Sequence, residues 1–290
     1  ADEEAFASDM QRTKAMLKNM ELNPMITLSD SLNKVMYNNH PLAKRMTIED
    51  YDNVDYAKAM EMYKDRFSDP NNFTFTFVGN IDVETFKPLV EQYLASLKKN
   101  KRKENWKNVG LELTNEDYVT HYQREMKDPK TSVYMIYNGD MEYNLYNQVY
   151  MSVLSDVLDI VYTKTIREEQ GGTYGVGVMG STNNRPDDDF RFLIAFDTND
   201  EVYATLMDIA KAELKDVAEN GPRQEDLSKV LENKLKKRTE QLQENRFWIS
   251  AIESQTRDNI DIISEYENII KGVTVESVAE FAKQVLNGNL

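Results

Sequence analysis

Residues 142–197 switch hydrophobic period partway along, and few folds satisfy such a stretch. From near Glu142, apolar residues including Leu154, Val157, Leu158, Val161 and Ile166 recur at helical spacing and run into Arg167-Glu168-Glu169. Gly171-Gly172 then stops the helix, since glycine readily takes the left-handed conformation that ends one. Beyond it the period becomes two. Thr173 to Gly180 and Phe190 to Asp197 read as strands joined by the loop Asn183-Asn184-Arg185-Pro186-Asp187-Asp188-Asp189. Phe190, Phe192, Ile194 and Phe196 fall on one face of the second strand, and that face needs a cover. A long helix joined to an antiparallel hairpin is the expected unit.

Upstream, Phe73-Thr74-Phe75-Thr76-Phe77-Val78 alternates rings with small side chains, as a strand does, and Gly79-Asn80 ends it. Asp82 is placed to cap a helix whose Phe86, Leu89, Val90, Tyr93, Leu94 and Leu97 form one stripe. Asp117 to Met126 and Thr131 to Tyr137 predict a further hairpin turning at Asp128-Pro129. The basic run from Lys98 to Lys103 reads as a solvated loop. Downstream the chain is helical, with Gly221-Pro222 as a stop and restart, a long charged helix carrying Leu227, Val230, Leu231 and Leu235, and Thr274 as cap of the last helix. The first 69 residues are helical and polar, with Met10, Met16, Leu17 and Met20 and then Tyr56, Met60, Tyr63 and Phe67 as packing stripes around a loop at His40-Pro41. The expected architecture is an α+β fold, a mainly antiparallel sheet covered by helices over 70–290, with a helical extension over 1–69.

Composition narrows the function. Fifty acidic against thirty-five basic side chains give a net charge of −15, which repels nucleic acid backbones and anionic membrane surfaces. Cysteine is absent, so thiolate metal sites, cysteine nucleophiles and disulfide scaffolds are excluded. No stretch approaches the roughly 20 apolar residues of a membrane span. The chain opens Ala1-Asp2-Glu3-Glu4, with neither an initiator Met nor a basic-then-apolar leader, which reads as processing or excision from a longer polypeptide. Removal of Met before Ala leaves the same end.

A hydrolytic zinc site needs about three His, Glu or Asp ligands and a carboxylate beside the metal-bound water. This chain has two histidines, and neither His40, followed by Pro-Leu-Ala-Lys, nor His121, followed by Tyr-Gln-Arg-Glu, opens a metallopeptidase helix. No Gly-x-Ser-x-Gly elbow supports a serine nucleophile. Asp187, Asp188 and Asp189 lack the spacing of a calcium loop and read as a charged turn. The glycines of Gly171-Gly172-Thr173-Tyr174-Gly175-Val176-Gly177 follow a helix and enter a strand, the reverse of a dinucleotide fingerprint. They suit close approach of another backbone, as when an extended peptide lies along a strand edge.

The segment Ile166-Arg167-Glu168-Glu169-Gln170-Gly171-Gly172-Thr173-Tyr174-Gly175-Val176-Gly177 resembles an element of the pitrilysin/insulinase-type zinc metallopeptidases. In it an Arg at a helix end and a Tyr seven residues later face the active-site chamber. Phe75-Thr76-Phe77-Val78-Gly79-Asn80-Ile81-Asp82, with Val90-Glu91-Gln92-Tyr93-Leu94-Ala95-Ser96-Leu97, is similar to the family's opening strand and helix. The resemblance covers about residues 70 to 290 and makes the lead-in the tail of a preceding domain. It implies the zinc-free, C-terminal half of such an enzyme, because the His-x-x-Glu-His helix of the other half is missing here.

The resemblance further implies that Arg167 and Tyr174 contact a bound peptide and support its transition state, with Gly175, Val176 and Gly177 as backbone for substrate pairing. On the residues alone, the favoured readings are Arg167 as a cation complementing a helix C-terminus and Tyr174 as an ordinary strand aromatic. By the same resemblance no cofactor binds this chain, and zinc belongs to a catalytic half in the same polypeptide or on a separate subunit. The isolated chain is expected to be inactive, and a periplasmic or otherwise exported protein is the preferred location. A catalytically silent structural or assembly subunit of the same fold is the alternative.

Overall fold

The computed structural model describes residues 2–99 and 103–290; part of the basic run expected as a solvated loop, Asn100 to Arg102, lies outside the described residues. The chain divides into two compact units, Ala1–Thr114 and Asn115–Leu290.

The first unit is helical, and its helices start where the sequence supplies a cap. Helix α1 (Glu3–Met20) begins at Asp2, whose carboxylate accepts from the amides of Glu4 and Ala5, both at 3.0 Å. Asn23 caps α2 (Pro24–Met36), with proline in the first turn where its missing N–H costs nothing. Thr47 and Asp50 form a reciprocal capping box on α3 (Ile48–Asp52). Asp55 caps α4 (Tyr56–Phe67), and Asp82 caps α5 (Val83–Tyr93) by accepting from Thr85 N at 2.9 Å.

Phe73 to Val78 is extended but belongs to no strand among the described residues, contrary to expectation. Its three rings are exposed. A strand needs a hydrogen-bonding neighbour, which alternation alone does not supply.

In the second unit a three-stranded antiparallel sheet is ordered β1-β3-β2, with β1 at Thr131–Asp140, β2 at Val176–Asn184 and β3 at Asp188–Thr198. The expected hairpin between 117–126 and 131–137 does not form; β1 pairs instead with β3. The reason lies in the side chains. On one face 117–126 offers Tyr118, Tyr122 and Met126 interrupted by Thr120 and Arg124, whereas β3 offers four large apolar residues in succession. In register, Val133, Met135 and Tyr137 of β1 stand beside Phe196, Ile194 and Phe192 of β3. Val176, Val178 and Gly180 of β2 flank the same three residues from the other side. The β2–β3 hairpin is longer than expected, because Asn183 and Asp189 pair and share a side-chain hydrogen bond of 2.6 Å, leaving only Arg185-Pro186-Asp187 as the turn.

Helix α6 (Leu145–Tyr162) lies on the apolar face of this sheet and buries Val149, Met151, Leu154, Val157 and Leu158. Close approach depends on Gly180, where a Cβ would sit 2.4 Å from Met151 Sδ. Helices α7 (Tyr203–Asn220), α8 (Gln224–Gln241), α9 (Asn245–Asp258), α10 (Tyr266–Gly272) and α11 (Val275–Leu286) complete the unit. Thr274 caps α11 in a capping box with Ser277. Buried hydroxyls tie the layers together: Tyr162 donates to Ala210 O on α7 at 2.9 Å, and Tyr150 lies 3.0 Å from Ser277 Oγ on α11. After α11, Asn289 exchanges two backbone hydrogen bonds with Asn138 of β1.

Candidate functional site

The site begins where α6 ends. Its last turns widen into a π-helical segment, Thr163–Glu169, anchored by fully buried Ile166 and by Thr165, whose hydroxyl donates to Val161 O at 3.0 Å. Segments of this kind recur at functional sites because they turn side chains to directions a regular helix does not reach. Arg167 sits on this segment and is exposed. Its carbonyl accepts the amide of Gly171 at 3.2 Å, and Gly171 adopts φ +66°, the left-handed conformation expected of a helix stop.

Gly172 follows in a crowded position. A Cβ there would lie 3.0 Å from Leu206 Cδ1 and 3.2 Å from Val202 Cγ2, so α7 packs directly against the backbone. The Gly172 carbonyl accepts a hydrogen bond from Thr198 Oγ1, at the end of β3, at 2.6 Å. Thr173 then braces a tight turn: its hydroxyl accepts the Gly175 amide at 3.2 Å and donates to the Gly175 carbonyl at 2.9 Å. Tyr174 stands at the tip of that turn and is 99% exposed. The chain re-enters the sheet at Val176, which is buried and pairs with Phe196, while Gly177, exposed, pairs with Ala195.

Arg167 and Tyr174 therefore bracket one surface turn, and Gly175, Val176 and Gly177 lead from it into β2. On its far side β2 has no strand neighbour among the described residues, so a row of backbone donors and acceptors is available beside the turn. Thr198 and Thr173 escaped the sequence reading. Thr173 stands within the motif, but Thr198 lies 26 residues from its partner, and a lone threonine at a strand end carries no signal of such a bond.

Among the described residues no three His, Cys, Asp or Glu side chains come together as a metal cage. His40 caps a short turn, with Nδ1 accepting from Leu42 N at 3.2 Å and Nε2 3.1 Å from Val109 O. His121 lies in the extended segment after Asp117 and is exposed. Of the aspartates at the hairpin turn, Asp188 accepts the Tyr143 amide at 3.0 Å and Asp189 bonds Asn183. Burial, with Asp187, Asp140 and Asp188 close by, pushes the Asp189 carboxyl up. The donor set does not fit a hydrolytic zinc.

Known proteins are similar to this chain in sequence and fold. The chain is 25% identical over 266 residues to a PQQL-like zinc protease of Arabidopsis thaliana, matching 86% of this chain and 28% of that protein. Its fold superposes on the periplasmic protease PqqL of Escherichia coli with a TM-score of 0.82 at 20% identity, covering 98% of this chain and 31% of the other. A peptidase M16 inactive domain from Pseudomonas fluorescens matches with a TM-score of 0.76 at 18% identity, covering 98% of this chain and 68% of the other. The chain thus spans under a third of the length of the Arabidopsis relative. The family described as the peptidase M16 inactive domain matches residues 53–234, well over half of the sequence, and the chain belongs to that family.

Proposed function

We propose that this chain is the zinc-free, substrate-binding half of a zinc endopeptidase acting on peptides, with Arg167 and Tyr174 as its contacts near the scissile bond. One observation carries the reading: Tyr174, 99% exposed on a braced turn, contributes nothing to the core, so the fold gives no reason for an aromatic ring there. The free edge of β2 next to it suits an extended peptide held by main-chain hydrogen bonds. In that position the Arg167 guanidinium donates charge-assisted hydrogen bonds to a substrate carbonyl. The Tyr174 phenol donates to the oxyanion as the tetrahedral intermediate forms.

Zinc and the carboxylate that activates water come, in this reading, from a catalytic half in the same polypeptide or on a separate subunit. The periplasmic location of the similar Escherichia coli structure supports an exported protein here. No helix among the described residues is long and apolar enough to cross a membrane.

The test is Arg167→Ala and Tyr174→Phe in the complete enzyme. Each is expected to lower turnover on the order of 10² to 10³, the usual effect of losing one oxyanion donor, with the folded chain as stable as before. Wild-type turnover in both variants overturns the assignment and returns the chain to a structural or assembly subunit of the same fold.

A further inference from the structure

We propose that Thr198 is a positioning residue for Tyr174, acting through the Gly172 carbonyl. The proposal rests on the reading of Tyr174 as a substrate contact. A side chain as exposed as Tyr174 has no packing to aim it, so its direction comes from its backbone alone. That backbone is held on each side of the ring. After it, Val176 is buried and locked into register with Phe196. Before it, Gly171 turns with φ +66° and Gly172 presses against Val202, at the N-terminal end of α7, and Leu206 of α7.

Packing at Gly172 limits how close the turn comes to α7 but does not fix its rotation, because contact with methyl groups is not directional. The directional restraint is the 2.6 Å hydrogen bond from Thr198 Oγ1. Thr198 is itself fixed, as the last residue of β3 paired with Thr131 of β1. The hydroxyl therefore ties the π-helical end of α6, which carries Arg167, and the turn that carries Tyr174 to the central strand of the sheet. Displacements of about 1 Å in a substrate-positioning group cost up to about 10² in rate, so one such bond is enough to matter.

Thr198→Val keeps the shape and removes the donor, while Thr198→Ser keeps the donor. In the complete enzyme, Thr198→Val is expected to lower kcat about tenfold, with Thr198→Ser within about threefold of wild type. Combined with Tyr174→Phe, Thr198→Val adds little further loss, since the two residues act on one contact. Gly172→Ala, whose methyl meets Leu206 Cδ1, displaces the same turn from its other side and lowers kcat as well, so the idea remains testable if Thr198→Val folds poorly.

Hydrogen exchange supplies a readout independent of turnover: amides from Thr173 to Val176 exchange faster in Thr198→Val while β1 and the centre of β3 keep their protection. Unchanged exchange at the turn, wild-type kcat in Thr198→Val, or losses that simply add to those of Tyr174→Phe would each overturn the proposal. If Tyr174→Phe itself leaves turnover unchanged, the reading of Tyr174 as a substrate contact fails and the proposal falls with it; if only Thr198→Val is silent, that reading stands and the proposal alone falls.

Discussion

The two units are composed of similar amphipathic patterns and use them differently. In Asn115–Leu290 the alternating residues of β1 and β3 and the stripes of α6, α7 and α11 close over one another into a continuous core. In Ala1–Thr114 the large apolar residues of α4, of the extended run Phe73 to Val78 and of α5 are mostly exposed. The rings there meet chiefly one another, Tyr63 stacking on Phe67 at 4.8 Å and Phe67 meeting Phe73 edge-on at 5.9 Å. A hydrophobic pattern identifies residues ready for burial, and a neighbour of complementary shape decides whether burial occurs.

The sharpest probe of this contrast is one substitution made in both places. Phe192 is 0% exposed, and Phe192→Ala is expected to cost about 3 to 5 kcal/mol of unfolding free energy through lost transfer and a cavity. Next in size is Arg238, 4% exposed on the long charged helix α8. Its guanidinium lies 4.3 Å from the centroid of Phe247 and 4.8 Å from that of Tyr266, and it donates to Ile262 O. Burial pushes its pKa down, yet a guanidinium stays protonated there. Arg238→Ala should cost about 2 to 3 kcal/mol in denaturant melts. Arg238→Lys should not restore it, because an ammonium cannot fill a planar slot between two rings.

A smaller effect of about 2 kcal/mol is expected at Asp258, whose side chain is 1% exposed and accepts from Arg257 at 2.8 Å and Asn184 at 2.9 Å. The hydrogen bond from Arg257 holds this carboxyl below its ordinary range, against the opposing effect of burial. Because the folded value is depressed, the stabilisation is full above the unfolded carboxylate range, about pH 4, and fades as pH falls through the folded value. The stability gap between wild type and Asp258→Asn should therefore be widest near neutrality and close in acid. Smallest of all, Phe75→Ala, at a residue 47% exposed, should change stability by no more than about 0.5 kcal/mol. A loss there as large as at Phe192 would break the contrast between the units.

The same contrast explains what was legible in the sequence. Helix α6, its stop at Gly171-Gly172 and the β2–β3 hairpin were readable because period and punctuation are local properties of the chain. The partner of β1 was not, since pairing is decided by which distant face can be buried, and Phe190 to Phe196 prevailed over the nearer segment 117–126. The π-helical turn left no mark in composition. Nor did the buried charges of α8: Lys234, which reaches Ser152 at 2.6 Å and Asp156 at 2.8 Å, looks in sequence like any solvated lysine. Arg167 and Tyr174 stood out by identity, spacing and context against a known family, whereas the Thr198 bond that braces their turn joins residues far apart in the chain.

The central claim is that this chain supplies substrate contacts and no metal. Its most direct test is cleavage of a mixed fluorogenic peptide library by the chain alone and by the chain combined with its zinc-bearing half, each with and without chelator. Cleavage only by the combination, abolished by chelator, is the predicted result. Cleavage by the chain alone would contradict it.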